Sequence, residues 1–313
     1  MVGLRALVAG TCLAALGAAR AQISQETTLE SYFTSSRVHQ GLYHYLSWGE
    51  TNVRLSPNVK ATVSGLSLGG HNSYDEACVT LEDKGRILRL GRFKTAFGFS
   101  TWSDQFYNGF NHIPLERIAP LNATLGLTRD DTGAELTFGG PDLQVQTALV
   151  DVSPEPTQIV PKRPDHASLR LQTNRGDLIL GGDFLADLAH GAEVYGLDAR
   201  WTAPRLVMRG ELMAGTGSSA AAWGYYIDAM YRIPKLSRTQ AVFRTEGLQY
   251  GQDNDATPNE PITLLHTVGI RQVVSPNLAV NLNYGWGSGA DNRYVTGNGL
   301  IGWTLRMMFQ LHF

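Results

Sequence analysis

The sequence predicts an all-β protein, a transmembrane antiparallel β-barrel of about sixteen strands with a long loop folded into its lumen. Three observations carry this expectation. A short apolar leader opens the chain, and no later stretch approaches the ~18–20 apolar residues of a spanning helix. Runs of about ten residues alternate apolar with polar up to a C-terminal phenylalanine, Phe313.

The leader has the parts of a secretory signal. Met1 to Arg5 carries one positive charge, Ala6 to Ala18 is apolar or small, and Ala19-Arg20-Ala21 supplies a small-x-small cleavage triplet. Export through the Sec pathway is expected, with residues 1–21 removed and the mature chain starting near Gln22. Residues 22–40 then read as an N-terminal segment and 41–313 as the barrel. Cleavage leaves 24 basic against 28 acidic residues, a near balance that gives no nucleic-acid footprint. Thr11 and a very short apolar run before Cys12, with a better-formed cleavage site after it, argue against a lipoprotein anchor, so Cys12 is expected to leave with the signal. Cys78 then stands alone, which excludes an intramolecular disulfide or a cysteine-rich metal site, and no metal or cofactor is expected.

The last run shows the alternation best. Ile301, Trp303, Leu305, Met307, Phe309, Leu311 and Phe313 share one face, while Gly302, Thr304, Arg306, Met308, Gln310 and His312 share the other. Phe313, with Leu311 and Phe309, is the expected signal for the barrel-assembly machinery. Before it, Leu278, Val280, Leu282, Tyr284 and Trp286 oppose Asn277, Ala279, Asn281 and Asn283. Trp223, Tyr225, Ile227 and Tyr231 oppose Gly224, Tyr226, Asp228 and Arg232. Weaker alternation continues upstream, as in Tyr195, Leu197 and Trp201 against Asp198 and Arg200, or Leu206, Met208 and Leu212 against Arg205, Arg209 and Glu211.

Connections alternate as well. Short ones fall at 139–142, 174–177, 203–204, 234–237 and 275–277, and long ones at 152–165, 215–222, 251–261 and 287–299. That asymmetry is what an outer-membrane barrel requires, with short turns facing the periplasm and long loops outside. About eleven runs can be counted back to Gly133 and four more before Thr95, near 86–94, 76–81, 58–68 and 41–54. Single-chain bacterial barrels have an even number, so sixteen is expected, with fourteen as the alternative.

Hydrocarbon offers no hydrogen-bond partners, so the sheet must close and its apolar face must meet lipid. Trp48, Trp201, Trp223, Trp286 and Trp303 suit the interfacial girdles. The polar face then places Arg170, Arg200, Arg209, Arg232, Arg244, Arg271 and Arg306 in the lumen. Glu135, Asp183, Asp198, Glu211, Asp228 and Glu246 join them. These charges either form a field across a water-filled pore or neutralise one another as wall ion pairs. The lumen is wet and charged in both cases.

The stretch Gly91-Arg92-Phe93-Lys94-Thr95-Ala96-Phe97-Gly98 resembles a motif of the phosphate-selective porin O and P family, in which a strand ending Gly-x-Phe-Lys enters a long inward loop. Pro114-Leu115-Glu116-Arg117 is similar to that family's Met-Glu-Arg-Ser stretch, and Gly133-Ala134-Glu135-Leu136-Thr137 to its Gly-Val-Gln-Leu strand. The resemblance covers about Leu90 to Asp151. It implies a sixteen-stranded homotrimeric porin whose loop constricts the channel, with Arg92, Lys94 and Arg117 at or near the constriction. Two departures accompany it: Ala96 replaces the usual proline, and the chain has five lysines in all where that family lines its channel with rows of them.

The expected function is an outer-membrane channel for passive diffusion of small polar or anionic solutes, weakly anion-preferring through Arg92, Lys94 and Arg117. A barrel enzyme of the lipase or esterase type is the rival, since His71-Asn72-Ser73 has the spacing some barrel lipases use. Gly69-Gly70 makes that setting a turn, and a general base needs an orienting third group, so no enzyme is expected. Asp253, Asn254 and Asp255 read as a solvated acidic loop, and a plugged structural barrel is the third class.

Overall fold

The computed structural model describes residues 22–36, 40–68, 71–99, 108–110, 114–115, 130–140, 142–151, 164–189, 191–216, 221–236, 238–251, 262–288 and 302–312. Among them are sixteen strands. The first five are β1 (Gln22–Ser36), β2 (Gln40–Ser56), β3 (Val59–Leu68), β4 (His71–Asp83) and β5 (Arg86–Lys94). After the long connection come β6 (Asp130–Gly139), β7 (Leu143–Asp151), β8 (His166–Arg175), β9 (Leu178–Asp187), β10 (Glu193–Thr202) and β11 (Leu206–Thr216). The last five are β12 (Ala221–Arg232), β13 (Thr239–Tyr250), β14 (Thr263–Ser275), β15 (Leu278–Ser288) and β16 (Gly302–His312). Each strand pairs antiparallel with the next. β1 pairs with β16 from Thr28↔His312 to Ser36↔Thr304, which closes the barrel.

Closure corrects one expectation. Residues 22–40 were expected to lie outside the barrel, yet Gln22–Ser36 is its first strand. Without it β2 and β16 would each present an unpaired edge to hydrocarbon, which membranes do not tolerate. Its sequence hides this role, because Ile23, Leu29 and Phe33 are the only apolar residues of their parity among serines, threonines and glutamines.

No helix among the described residues is long and apolar enough to cross a membrane. The strands cross instead, and their exposed face is apolar. Leu169, Leu197, Leu212, Ile227, Ile270, Leu282, Leu305 and Phe309 are all exposed, while their chain neighbours Arg170, Asp198, Glu211, Asp228, Asn281, Thr304 and Gln310 are buried. A soluble protein would show the reverse. Aromatics bound this band at both ends: Trp201 and Tyr231 near the short turns, Tyr195, Tyr284, Trp286 and Trp303 towards the long loops. Tyr195 and Trp201 stand six residues apart on β10, or about 20 Å of strand, close to the height such barrels give to lipid.

Leu282 and Asn281 make the sharpest contrast, at 43% and 0% exposure. Leu282→Arg is expected to destabilise the lipid-folded barrel by about 2–4 kcal/mol, the cost of arginine near mid-bilayer. Asn281→Ser, on the opposite face, is expected to cost far less. Equal unfolding midpoints in urea for the two variants would contradict the assignment of faces.

Candidate pore and its charged wall

The inner face of β10 to β13 is built in rows, because antiparallel register sets side chains of one parity directly across from each other. Of the two charged rows, Asp198–Glu211–Tyr226–Glu246 is the nearer to the long loops, and below it lies Arg200–Arg209–Asp228–Arg244. A third row, Thr202–Val207–Met230–Val242, is largely apolar. At the short-turn end Arg232 faces Gln240, and its backbone N–H donates to the carbonyl of Arg205 at 2.8 Å.

Most charges in the first two rows are spent on the wall itself. Asp228 lies between two arginines, accepting from Arg209 Nε at 2.9 Å and from Arg244 Nε at 2.6 Å, with all three buried. On β8 and β9 the directly opposed Arg170 and Asp183 pair at 2.7 Å, and Arg170 reaches a further strand to Asp198 on β10 at 2.6 Å. That reach depends on Gly181, directly opposite Asp198 on the intervening strand. A Cβ there would strike both the Asp198 carboxylate and the Arg170 guanidinium. On β5 and β6, Arg89 donates through Nε and Nη2 to one oxygen of Glu135, at 2.9 and 2.6 Å.

The remaining carboxylates hold described residues of the connection between β5 and β6 (95–99, 108–110 and 114–115) against this wall. Glu211 accepts a hydrogen bond from the backbone N–H of Phe99, and Glu246 accepts one from Leu115 N–H at 2.6 Å. The Asn283 side chain donates to the carbonyl of Gly109 at 2.9 Å. Gly109 has φ +82°, and a Cβ would sit 3.0 Å from the Arg271 side chain, so only glycine lets the backbone lie this close. Phe110 is fully buried against Met230 and Val242, and the Arg244 guanidinium lies 4.1 Å from its ring centroid. Near its start, Thr95 Oγ1 donates to Asp131 at 2.5 Å. These described residues of the loop therefore lie inside the barrel, pinned to strands from β6 round to β15.

Between Phe99 and Asn108 of this loop and the short-turn end of the wall lies a cavity of about 820 Å³. Arg200, Arg205, Arg209 and Arg232 line it, against one carboxylate among the described residues, Asp177. Sequence alternation had already put Arg200, Arg205, Arg209 and Arg232 on the polar face, Arg205 just before its strand. Arg271, also inward, is bonded instead to Gln310 at 2.7 Å.

The three residues expected at the constriction fare differently. Glu135, Asp131 and Phe93 share the lumen parity, and Phe93 packs with Cys78, Ala148 and Val150. Arg92 takes the opposite parity, buried and directly across from buried Thr132. Lys94, the last residue of β5, shares Arg92's face by alternation, and Arg117 lies outside the described residues. Arg89, two strand residues before Gly91, is the basic side chain of β5 that does face inward. Cys78 is a buried free thiol. Phe309 and Leu311 lie on the lipid face, whereas Phe313 and the 253–255 acidic stretch are outside the described residues. The backbone of His71 to Ser73 opens β4, but those side chains lie outside the description.

Comparison with protein families and with characterised proteins by sequence finds no match. Solved structures do match. The anion-selective porin of Comamonas acidovorans superposes with a TM-score of 0.68 at 11% identity, covering 94% of this chain and 100% of its own. The outer-membrane channel DcaP of Acinetobacter baumannii gives 0.67 at 10% identity over 94% and 98%. OmpF of Salmonella typhi, solved with daunomycin, gives 0.66 at 11% over 93% and 97%. The outer-membrane protein OmpT of Vibrio cholerae, in a loop-deletion form, also gives 0.66 at 11%, over 94% and 99%. The chain is a closed sixteen-stranded β-barrel with an apolar outer face, and its fold is the one these outer-membrane porins share.

Proposed function

We propose that this chain is a general porin, a water-filled channel through which small polar solutes and ions diffuse passively, with a weak preference for anions. The observation that carries the reading is the inward loop, held against one side of the wall by Glu211, Glu246 and Asn283 and leaving an arginine-lined cavity beneath it. A loop placed so narrows a passage without needing any moving part. The anion preference is assigned to Arg200, Arg205 and Arg232 rather than to Arg92 and Lys94. Charges along a narrow, low-dielectric path act on permeating ions more strongly than the net negative charge of the whole chain, which salt screens over ~8 Å.

Further parts of the proposal are removal of residues 1–21 on export, assembly through the C-terminal strand and a homotrimer in the outer membrane. The motif around Gly91 to Lys94 supports kinship with the phosphate-selective porins at the level of the loop-entry strand. With five lysines in the chain, phosphate specificity is not part of the proposal. Proteoliposomes containing the protein should swell rapidly in arabinose and slowly in a trisaccharide. Equal rates for both sugars, or no swelling above protein-free vesicles, would contradict a size-limited channel.

A further inference from the structure

The wall of this barrel pairs its arginines wherever a carboxylate is within reach. Arg89, Arg170, Arg209 and Arg244 each contact one at 2.6–2.9 Å. Arg200, Arg205 and Arg232 differ: all three are exposed to the lumen cavity, and none has an ion-pair partner among the described residues. Their placement is electrostatically costly. Arg200 lies directly across the ladder from Arg209, a like-charge opposition that disfavours pairing, and Arg205 and Arg232 are adjoining residues joined through the backbone. Arg209 is held by Asp228, and Asp177, the one carboxylate among the described lining residues, cannot balance the other three guanidinium groups.

The groups also have an order. Arg200 and Arg209 form one level and Arg205 and Arg232 another, four strand residues further towards the short turns, or about 13 Å along the strand. Between them lie Val207 and Met230, the apolar row. Guanidinium forks bind oxyanions in bidentate fashion and lose less hydration than ammonium groups in doing so. Two cationic levels separated by an apolar strip match an elongated solute with an anionic group at each end and a hydrocarbon body.

We propose that this cavity is a binding site for small organic dianions, carrying carboxylate or phosphate groups on an apolar body, at the short-turn mouth of the channel. The assignment rests on the channel reading only for its physiological meaning, since the site would hold such a solute even in a plugged barrel. Occupancy there raises the local concentration of the anion beside the passage while leaving the pair-bonded wall intact.

Calorimetric titration of the purified, folded barrel tests it. Suberate should bind saturably, sulfate at least tenfold more weakly, and uncharged 1,8-octanediol not at all. 1,6-Hexanediol bisphosphate in a parallel titration distinguishes the two head groups: tighter binding than suberate assigns the site to phosphate esters, weaker binding to dicarboxylates. The triple variant R200Q/R205Q/R232Q should lose at least tenfold in suberate affinity, and Val207→Asn should weaken suberate but not sulfate. Heat-modifiable migration identifies any variant that fails to fold, in which case Arg232→Gln alone should lose about threefold, as expected for one of several charge-assisted contacts. Suberate bound equally by wild type and folded triple variant, octanediol bound as well as suberate, or no saturable heat at all would overturn the site. Channel conductance measured on the same preparation separates the two readings. Binding without conductance contradicts the porin and keeps the site, whereas conductance without binding does the opposite.

Discussion

Replacing Asp228 with alanine is expected to destabilise the barrel by about 3–5 kcal/mol, the cost of stranding buried charges. Asp228 is wholly buried and is shared by Arg209 and Arg244, on the strands to either side. Removing it leaves two guanidinium groups on either side of β12 without the carboxylate they share, one of them only 1% exposed. The companion double variant D228A/R244M should recover much of the loss, because it removes a buried cation together with its partner. Urea-unfolding midpoints in detergent or vesicles measure both. An unshifted midpoint for Asp228→Ala would mean that water reaches these arginines freely and that the wall is not the packed ion network described above.

The second large effect concerns the loop. Glu211 and Glu246 each accept a backbone N–H of the 95–129 connection, and hydrogen bonds to charged groups are worth ~1.5–3 kcal/mol each. Glu211→Ala with Glu246→Ala removes both and leaves the amides of Phe99 and Leu115 unsatisfied. The loop should release from the wall, and single-channel conductance should rise about twofold or more, as a constriction is what limits flow through a wide barrel. Unchanged conductance in the double variant would show that the loop is held by Phe110 and Asn283 alone, or that it does not set the passage width.

These two effects rest on features of unequal visibility in the sequence. The lipid face was legible because alternation there is strict: Leu282 against Asn281 or Ile227 against Asp228 needs only the period-two rule. Inward placement of the charged residues follows from the same rule, as does the loop from its long, aromatic, non-alternating composition between Thr95 and Asp131. Pairing was not legible. Arg170 finds Asp198 two strands away only because Gly181 leaves a gap, and that gap exists only once register is fixed. Arg92 and Lys94 were pointed to the constriction by the family resemblance and not by alternation, and the register of β5 sets both on the parity opposite Phe93. Phe93 turns inward to pack with Cys78, Ala148 and Val150, and the two basic residues take the outer parity. β1 escaped notice for another reason: a strand rich in serine, threonine and glutamine carries little period-two signal, and only closure of the sheet reveals it.

The most direct test of the account is the zero-current potential of the purified protein in a planar bilayer under a tenfold potassium chloride gradient. An open barrel whose narrow path runs past Arg200, Arg205 and Arg232 should give discrete conductance steps and a potential on the anion-selective side, corresponding to a preference for chloride of about two- to fivefold. Adding R200E/R205E/R232E should carry the potential across zero to the cation-selective side. A wild-type channel that is clearly cation-selective, or a charge-reversed variant with the wild-type potential, would contradict the claim that these arginines govern what the barrel passes.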